Sequence, residues 1–73
     1  MREKLYQILE AELNLSGDWD TSKNFIELGA QSIQMMKFQM EILKSFGVKL
    51  SFQELFENNT LDRLLSCIEQ KLA

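Results

Sequence analysis

Apolar residues recur at steps of three and four in three separate segments of this chain, and that spacing restricts its fold more than any other feature. Such spacing places apolar side chains along one face of a helix. No segment shows the strict apolar and polar alternation of a strand, and proline is absent. The pattern therefore predicts an all-α chain of packed helices.

The first two predicted helices are long and are separated by a long loop. The first runs from residue 2 to about residue 15, where the sequence Ser16-Gly17-Asp18 favours a turn. Residues 18–31 then form a connection without clear periodicity. A loop of that length in a small domain is usually functional or packed down by its own apolar side chains. The second helix is predicted from residue 32 to about residue 46, with Gly47 as its cap.

The C-terminal part of the chain predicts one short helix and one long helix. Ser51 is expected to cap a short helix over residues 52–57, and Thr60 to cap a last helix that begins at Leu61. We expect one core shared by three of the helices. Its predicted members are Phe38, Ile42, Leu55, Phe56, Leu64 and Ile68, and the last helix is expected to bury Leu61, Leu65 and Leu72 as well. A chain of 73 residues has room for a single domain, residues 1–73.

The second helix has two apolar stripes, which is more than a helix of a small bundle needs for its core. One stripe consists of Met35, Phe38, Ile42 and Phe46. The other consists of Ile33, Met36 and Met40. Methionine stripes usually belong to a core, and that remains the alternative here. Because the first stripe already serves the core, we expect the second to be a partner-binding surface.

Composition excludes several classes of function. The net charge is −3, and no basic face of the kind that binds nucleic acid is present. Cys67 is the only cysteine and histidine is absent, so neither a disulfide nor an ordinary zinc site is expected, and the commonest general base is missing. No apolar run reaches the length of a membrane span. These features predict a metal-free cytoplasmic protein that binds neither nucleic acid nor membranes, and we expect it to be a monomer.

Ser32 is the residue best placed for chemistry. It lies directly before the long amphipathic helix, where unpaired backbone N–H groups and the helix dipole favour an anion. A phosphate esterified to its hydroxyl would be stabilised there. Gly29, three residues earlier, allows an unusual backbone turn and a close approach by another protein. The alternative is that Ser32 serves only as a helix cap.

The residues around Ser32 resemble the attachment motif of acyl and peptidyl carrier proteins. The matching run is Phe25-x-x-Leu28-Gly29-x-x-Ser32-Ile33. Later matches, in the same order and spacing as in that family, are Phe46-Gly47-Val48-x-Leu50, Leu55-Phe56 and Thr60-Leu61. Together these matches extend over about residues 5 to 70.

The resemblance implies a four-helix bundle whose Ser32 is modified by a phosphopantetheinyl transferase with coenzyme A. The terminal thiol of the attached 4'-phosphopantetheine, not Cys67, would hold acyl, aminoacyl or peptidyl intermediates as thioesters. The chain would perform no reaction itself. It would present its cargo to loading, condensing and tailoring enzymes that bind the loop and the second helix.

Two departures from the family pattern bear on the kind of carrier. Gln31 stands where many fatty-acid carriers have aspartate, and the second helix has Lys37 and Lys44 against a single Glu41. These features resemble carriers of polyketide and nonribosomal peptide synthesis more than a fatty-acid acyl carrier protein, which is one alternative. The other alternative is a helical docking domain without a prosthetic group.

Overall fold

The protein, described over all of residues 1–73 by a computed structural model, consists of four helices and contains no strand. These are α1 (Arg2–Leu13), α2 (Ser32–Phe46), α3 (Phe52–Glu57) and α4 (Leu61–Leu72). The predicted fold class, three long helices and one short helix with a long loop after the first, is confirmed. None of the four combines the length and apolarity that a bilayer crossing demands.

Helix α1 ends earlier than predicted, at Leu13 instead of about residue 15. The next residue, Asn14, adopts the left-handed conformation with φ 54°, and its N–H donates to the carbonyl of Glu10. Asparagine is one of the few residues besides glycine that tolerates this conformation as a helix cap. Asn14 therefore ends the helix before the chain reaches Gly17.

The other predicted helix boundaries are confirmed, because their capping residues act as expected. Gly47 ends α2 with φ 69°, in the left-handed region. The Ser51 hydroxyl accepts the N–H of Glu54 at 3.1 Å, and the Glu54 carboxylate accepts the N–H of Ser51 at 3.0 Å. The Thr60 hydroxyl accepts the N–H three residues later at 3.3 Å. Each bond satisfies a backbone group that the helix itself leaves unpaired.

One apolar core joins the helices and the long loop. Its members are Leu5, Leu9, Phe25, Ala30, Met35, Phe38, Ile42, Val48, Leu50, Leu55, Leu61, Leu64 and Ile68. Two of the predicted core positions are wrong. Phe56 is 48% exposed and Leu72 is equally exposed. Leu55 and Phe56 are neighbours on a six-residue helix, so the face that buries Leu55 turns Phe56 outward. Leu72 is the final residue of α4, and the buried residues of that helix end at Ile68.

Phe25 fixes the long loop to the bundle. Its side chain is fully buried and meets the ring of Phe38 edge-on, with ring centroids 5.4 Å apart. Its backbone N–H donates to the carbonyl of Asn59 at 2.8 Å, and its carbonyl accepts the N–H of Ala30 at 2.9 Å. The stretch leading into α2 is therefore held both by packing and by hydrogen bonds.

Trp19 attaches the early part of the same loop to α1. Its indole stacks on the ring of Tyr6, with centroids 4.8 Å apart and planes inclined by 24°. The indole N–H is buried and has no hydrogen-bond partner. Trp19 thus contributes to the fold through aromatic contact.

Two surface ion pairs connect α4 to other helices. Arg2 at the start of α1 pairs with Asp62. The Lys71 ammonium lies 2.7 Å from a Glu54 carboxylate oxygen and joins α4 to α3. The hydrogen bond from Lys71 lowers the pKa of Glu54, and the same bond raises the pKa of Lys71.

Candidate functional site

Ser32 is the first residue of α2, and its side chain is exposed. The residue that caps the helix is Gln31, which has an extended backbone at φ −107° and ψ 176°. The Gln31 N–H donates to the side-chain oxygen of Gln34 at 2.9 Å. The Ser32 hydroxyl takes part in no hydrogen bond of the structure. The alternative that Ser32 is only a helix cap is therefore wrong, and its hydroxyl is free for chemistry.

The electrostatic setting of Ser32 favours an anion. The backbone N–H groups of Ser32 and Ile33 have no acceptor, because the first bond of the helix runs from the Met35 N–H to the Gln31 carbonyl at 3.1 Å. The first turn of α2 contains no acidic residue that would offset the positive end of its dipole. A phosphate ester on the Ser32 hydroxyl would lie beside these unpaired donors.

The turn before Ser32 is built from local hydrogen bonds. The Asn24 N–H donates to the Glu27 carboxylate at 3.1 Å, and the Glu27 N–H donates to the Asn24 side-chain oxygen at 2.9 Å. Gly29 follows with φ 99°, a conformation that other residues rarely adopt. A Cβ at Gly29 would meet nothing within 4 Å, so the backbone conformation, not crowding, requires glycine. This turn connects Phe25, which is buried in the core, to Ser32, which is exposed.

These residues fit a covalently attached phosphate group better than they fit a catalytic site. The hydroxyl is accessible and uncommitted, and the adjoining backbone offers donors to a phosphate. Glu27, the carboxylate of the preceding turn, already accepts the Asn24 N–H. Cys67 lies on another helix, α4, and is partly buried. Desolvation raises the pKa of its thiol, so Cys67 is suited to packing and not to reaction as a thiolate. The arrangement can accept a group and hold it in solvent.

A row of exposed apolar side chains begins next to Ser32. Ile33, Met36 and Met40 are 56%, 52% and 69% exposed. The other stripe of α2 is in the core except for Phe46, which is partly buried against it. The alternative that this second stripe is core is wrong. Leu43, 49% exposed, extends the row by another turn and was missed, although it continues the same three- and four-residue spacing. The partner-binding role of the row remains a prediction.

A second exposed apolar feature was also missed by the sequence analysis. Phe52 and Phe56 lie on the outer face of α3 with ring centroids 6.2 Å apart. Their spacing of four residues, one helical turn, was the available signal. We assign no role to this aromatic pair.

The chain is similar to known phosphopantetheine-bearing proteins. A family model described as "Phosphopantetheine attachment site" matches residues 3–68. A hybrid PKS-NRPS synthetase of Botryobasidium botryosum is 38% identical over 47 residues, which is 64% of this chain and 3% of that protein. A polyketide synthase-nonribosomal peptide synthetase of Aspergillus clavatus is 28% identical over 69 residues, 94% of this chain and 2% of that protein. The chain thus spans only a small fraction of the length of these relatives.

Two solved structures share the fold at 30% sequence identity. One is a non-covalent extended docking domain complex of the Pax NRPS, with a TM-score of 0.85 over 96% of this chain and 66% of that chain. The other is McyG A-PCP complexed with phenylalanyl-adenylate, with a TM-score of 0.84 over 92% of this chain and 10% of that chain. The residues matched by the family model, 3–68, include the loop, Ser32 and α2.

Proposed function

Since this chain belongs to the phosphopantetheine attachment family of acyl and peptidyl carrier domains, we propose that Ser32 is the residue to which the group is attached. Members of this family carry 4'-phosphopantetheine covalently, and the domain acts as a carrier. The observation that supports the assignment most directly is the free, exposed hydroxyl at the start of α2. It lies beside unpaired N–H groups and directly after the Gly29 turn.

In this proposal the chain's residues position a group instead of catalysing a reaction. When attached, 4'-phosphopantetheine supplies a terminal thiol that holds acyl, aminoacyl or peptidyl intermediates as thioesters. The N-terminal end of α2 holds the phosphate through backbone donors and the helix dipole. Phe25 and Ala30 fix the turn to the core, so the attachment point keeps one position relative to α2. The proposed role needs no catalytic side chain.

We assign the carrier to polyketide or nonribosomal peptide synthesis. The two similar synthetases are hybrids of those systems, and both similar structures contain parts of nonribosomal peptide synthetases. The charge of α2 agrees, because Lys37 and Lys44 outnumber Glu41. No feature of the site favours the fatty-acid alternative. The alternative of a docking domain without a prosthetic group is tested by the loading experiment below.

The proposed partners are the enzymes that a carrier meets in turn. They are a phosphopantetheinyl transferase, an enzyme that loads the acyl or aminoacyl cargo, and condensing and tailoring enzymes. We propose that they contact Ile33, Met36 and Met40, because an enzyme that reaches Ser32 must pass over this exposed row. Methionine adapts to pockets of different shape, which suits successive partners. We propose that the domain comprises residues 1–73, is cytoplasmic and works as a monomer.

The test is a loading reaction with a broad-specificity transferase and coenzyme A, followed by intact-mass measurement. The wild type should gain the mass of one phosphopantetheine group, and Ser32→Ala should gain none. Ser45→Ala is the matched control, since Ser45 is also exposed on α2 but lies near the opposite end. It should load like the wild type. Loading of Ser32→Ala, or a folded wild type that never gains mass, would contradict the assignment.

A further inference from the structure

Helix α2 is entered through a single residue, Gln31, whose backbone is bonded on both sides. Its N–H donates to the side-chain oxygen of Gln34 at 2.9 Å. Its carbonyl accepts the N–H of Met35 at 3.1 Å, which is the first bond of the helix. The Gln34 side chain therefore reaches back over the first turn and fixes Gln31 as the helix cap.

Ser32 would be the stronger cap by residue type. Serine is among the residues most favoured at a helix cap, and glutamine is not. The chain uses a serine in this way at α3, where the Ser51 hydroxyl accepts the N–H of the residue three positions later at 3.1 Å. A helix α2 that began one residue later would give Ser32 the same role, with the Met35 N–H bonded to its hydroxyl. Two starts of α2 therefore compete, one capped by Gln31 and one capped by Ser32.

The two starts differ in the state of the Ser32 hydroxyl. With Gln31 as the cap, the hydroxyl takes part in no hydrogen bond. With Ser32 as the cap, its oxygen would accept a backbone N–H, and its backbone would leave the helix for the extended conformation. The start of the helix therefore decides whether the hydroxyl is available.

The attachment reaction needs this oxygen as a nucleophile. The Ser32 oxygen attacks a phosphorus atom of coenzyme A, and a bond forms between the two atoms. Adenosine bisphosphate leaves with the electron pair of the broken phosphorus–oxygen bond, and the serine proton passes to a base of the transferase. An oxygen whose lone pair is bonded to an N–H of the helix is less able to make this attack.

Gln34 stabilises only the start that leaves the hydroxyl free. Its side-chain oxygen meets the N–H of Gln31, the residue three positions before it, which is the spacing of a capping pair. When Ser32 is the cap, the residue at that spacing is Met35, which has no side-chain oxygen. The bond that Gln34 makes is therefore lost without replacement when the start moves to Ser32.

The amide of Gln34 makes this bond without a charge. In the other two reciprocal pairs of the chain, which begin at Asn24 and Ser51, a glutamate carboxylate accepts the N–H of the first residue. A carboxylate interacts more favourably with the positive end of a helix, but it would repel a phosphate attached at Ser32. The first turn of α2 contains no acidic residue. A neutral side chain at this position agrees with a site that receives an anion.

We propose that Gln34 is a positioning residue for the attachment reaction, because its bond to Gln31 keeps Ser32 inside the helix with a free hydroxyl. The inference rests on the proposed attachment at Ser32. It assigns to Gln34 an effect on the reaction that acts through the start of the helix.

The start of the helix can be measured in the unloaded protein. In NMR spectra of ¹⁵N-labelled Gln34→Ala, the coupling between HN and Hα of Ser32 should change from a helical toward an extended value, and the Gln31 amide should exchange faster with solvent. Gln39→Ala is the matched control, because Gln39 is also half-buried on α2 and also loses a side-chain hydrogen bond, to the Leu50 carbonyl at 2.9 Å. It should leave both signals unchanged. Gln34→Glu should restore them, because a carboxylate accepts the same N–H.

Loading kinetics separate positioning from a loss of stability. If the transferase binds only the start with a free hydroxyl, KM for the carrier rises as the population of that start falls. Gln34→Ala should raise KM by roughly two- to fivefold, since the loss of one capping bond shifts such an equilibrium by about fivefold at most. It should leave kcat unchanged, because a helix end rearranges faster than the group is transferred. Gln39→Ala should load with the KM and kcat of the wild type.

The charge at this position gives a second comparison. Gln34→Glu should have the wild-type start of α2 but carries a carboxylate beside the incoming phosphate. It should load more slowly than the wild type at low salt, and the difference should disappear at high salt, which screens the charges.

Three results would overturn the inference: a Gln34→Ala variant with the Ser32 coupling and the KM of the wild type, an equal rise of KM in Gln39→Ala, or a Gln34→Glu variant with the NMR signals of Gln34→Ala. Failure of the attachment proposal gives a different result. In that case Ser32→Ala gains mass or the wild type gains none, while the NMR comparison of the unloaded variants still reports the start of the helix.

Discussion

Replacing Phe25 with alanine should destabilise the fold more than any change on the exposed row of α2. Phe25 is fully buried, and its ring meets that of Phe38. Removing a buried phenylalanine typically costs 3–5 kcal/mol through lost transfer free energy and the cavity left behind. The aromatic pair with Phe38 adds about 1 kcal/mol, so a loss near 4 kcal/mol is expected. A domain of this size has a total stability of only about 4–11 kcal/mol.

Phe56→Ala is the matched control for this prediction, because it removes the same side chain from a position that is 48% exposed. Its cost should be about 1 kcal/mol or less, since much of the ring is already in water. Urea unfolding followed by circular dichroism gives both free energies, provided that the slope with denaturant is unchanged. If the two variants unfold at similar urea concentrations, the position of the loop in the core is wrong.

Three further predictions concern the site and the surface. Met36→Glu should lower the free energy of unfolding by under about 1 kcal/mol, because Met36 is exposed. The same variant should be loaded more slowly by a cognate enzyme. A variant that unfolds, but whose folded fraction is loaded normally, would contradict the docking role. Gly29→Ala should cost about 1–2 kcal/mol, because alanine is strained at φ 99°, whereas Gly17→Ala, at a position without positive φ, should be neutral in thermal melts. Lys71 lowers the pKa of Glu54, so their ion pair stabilises the fold at pH values above the ordinary pKa of a glutamate side chain. This stabilisation is lost as the pH falls through the lowered pKa of Glu54. Lys71→Gln should therefore be slightly less stable than the wild type at neutral pH and equal to it in acid, as measured by urea unfolding across pH.

Helix boundaries could be predicted from the sequence wherever a residue that strongly favours capping stands at the end of the helix. Gly47, Ser51 and Thr60 each cap a helix as expected, because left-handed backbone and side-chain acceptors are local requirements. The end of α1 was predicted too late, because Gly17 gave the stronger signal for a turn. Asn14, three residues earlier, also adopts the left-handed backbone and ends the helix there. The position of Ser32 at the start of α2 was correct, but Gln31, not Ser32, caps the helix.

The direction in which a side chain faces was predictable only where the spacing spans several turns. On α2 two complete stripes were visible in the sequence, and the one containing Met36 is exposed as predicted. On α3 the helix is too short to define a face, so Phe56 was placed in the core although only Leu55 is buried.

The stacked pair of Trp19 and Tyr6 gives the protein an internal spectroscopic reporter. The chain has one tryptophan and one tyrosine, and their rings lie 4.8 Å apart. Excitation energy absorbed by the tyrosine passes efficiently to the indole at such a separation, so the folded protein should emit almost entirely from Trp19. Separation of the loop from α1 should restore tyrosine emission and shift the indole spectrum toward the red. The fluorescence of the unlabelled protein can therefore follow whether the loop that leads to Ser32 stays attached while partners bind.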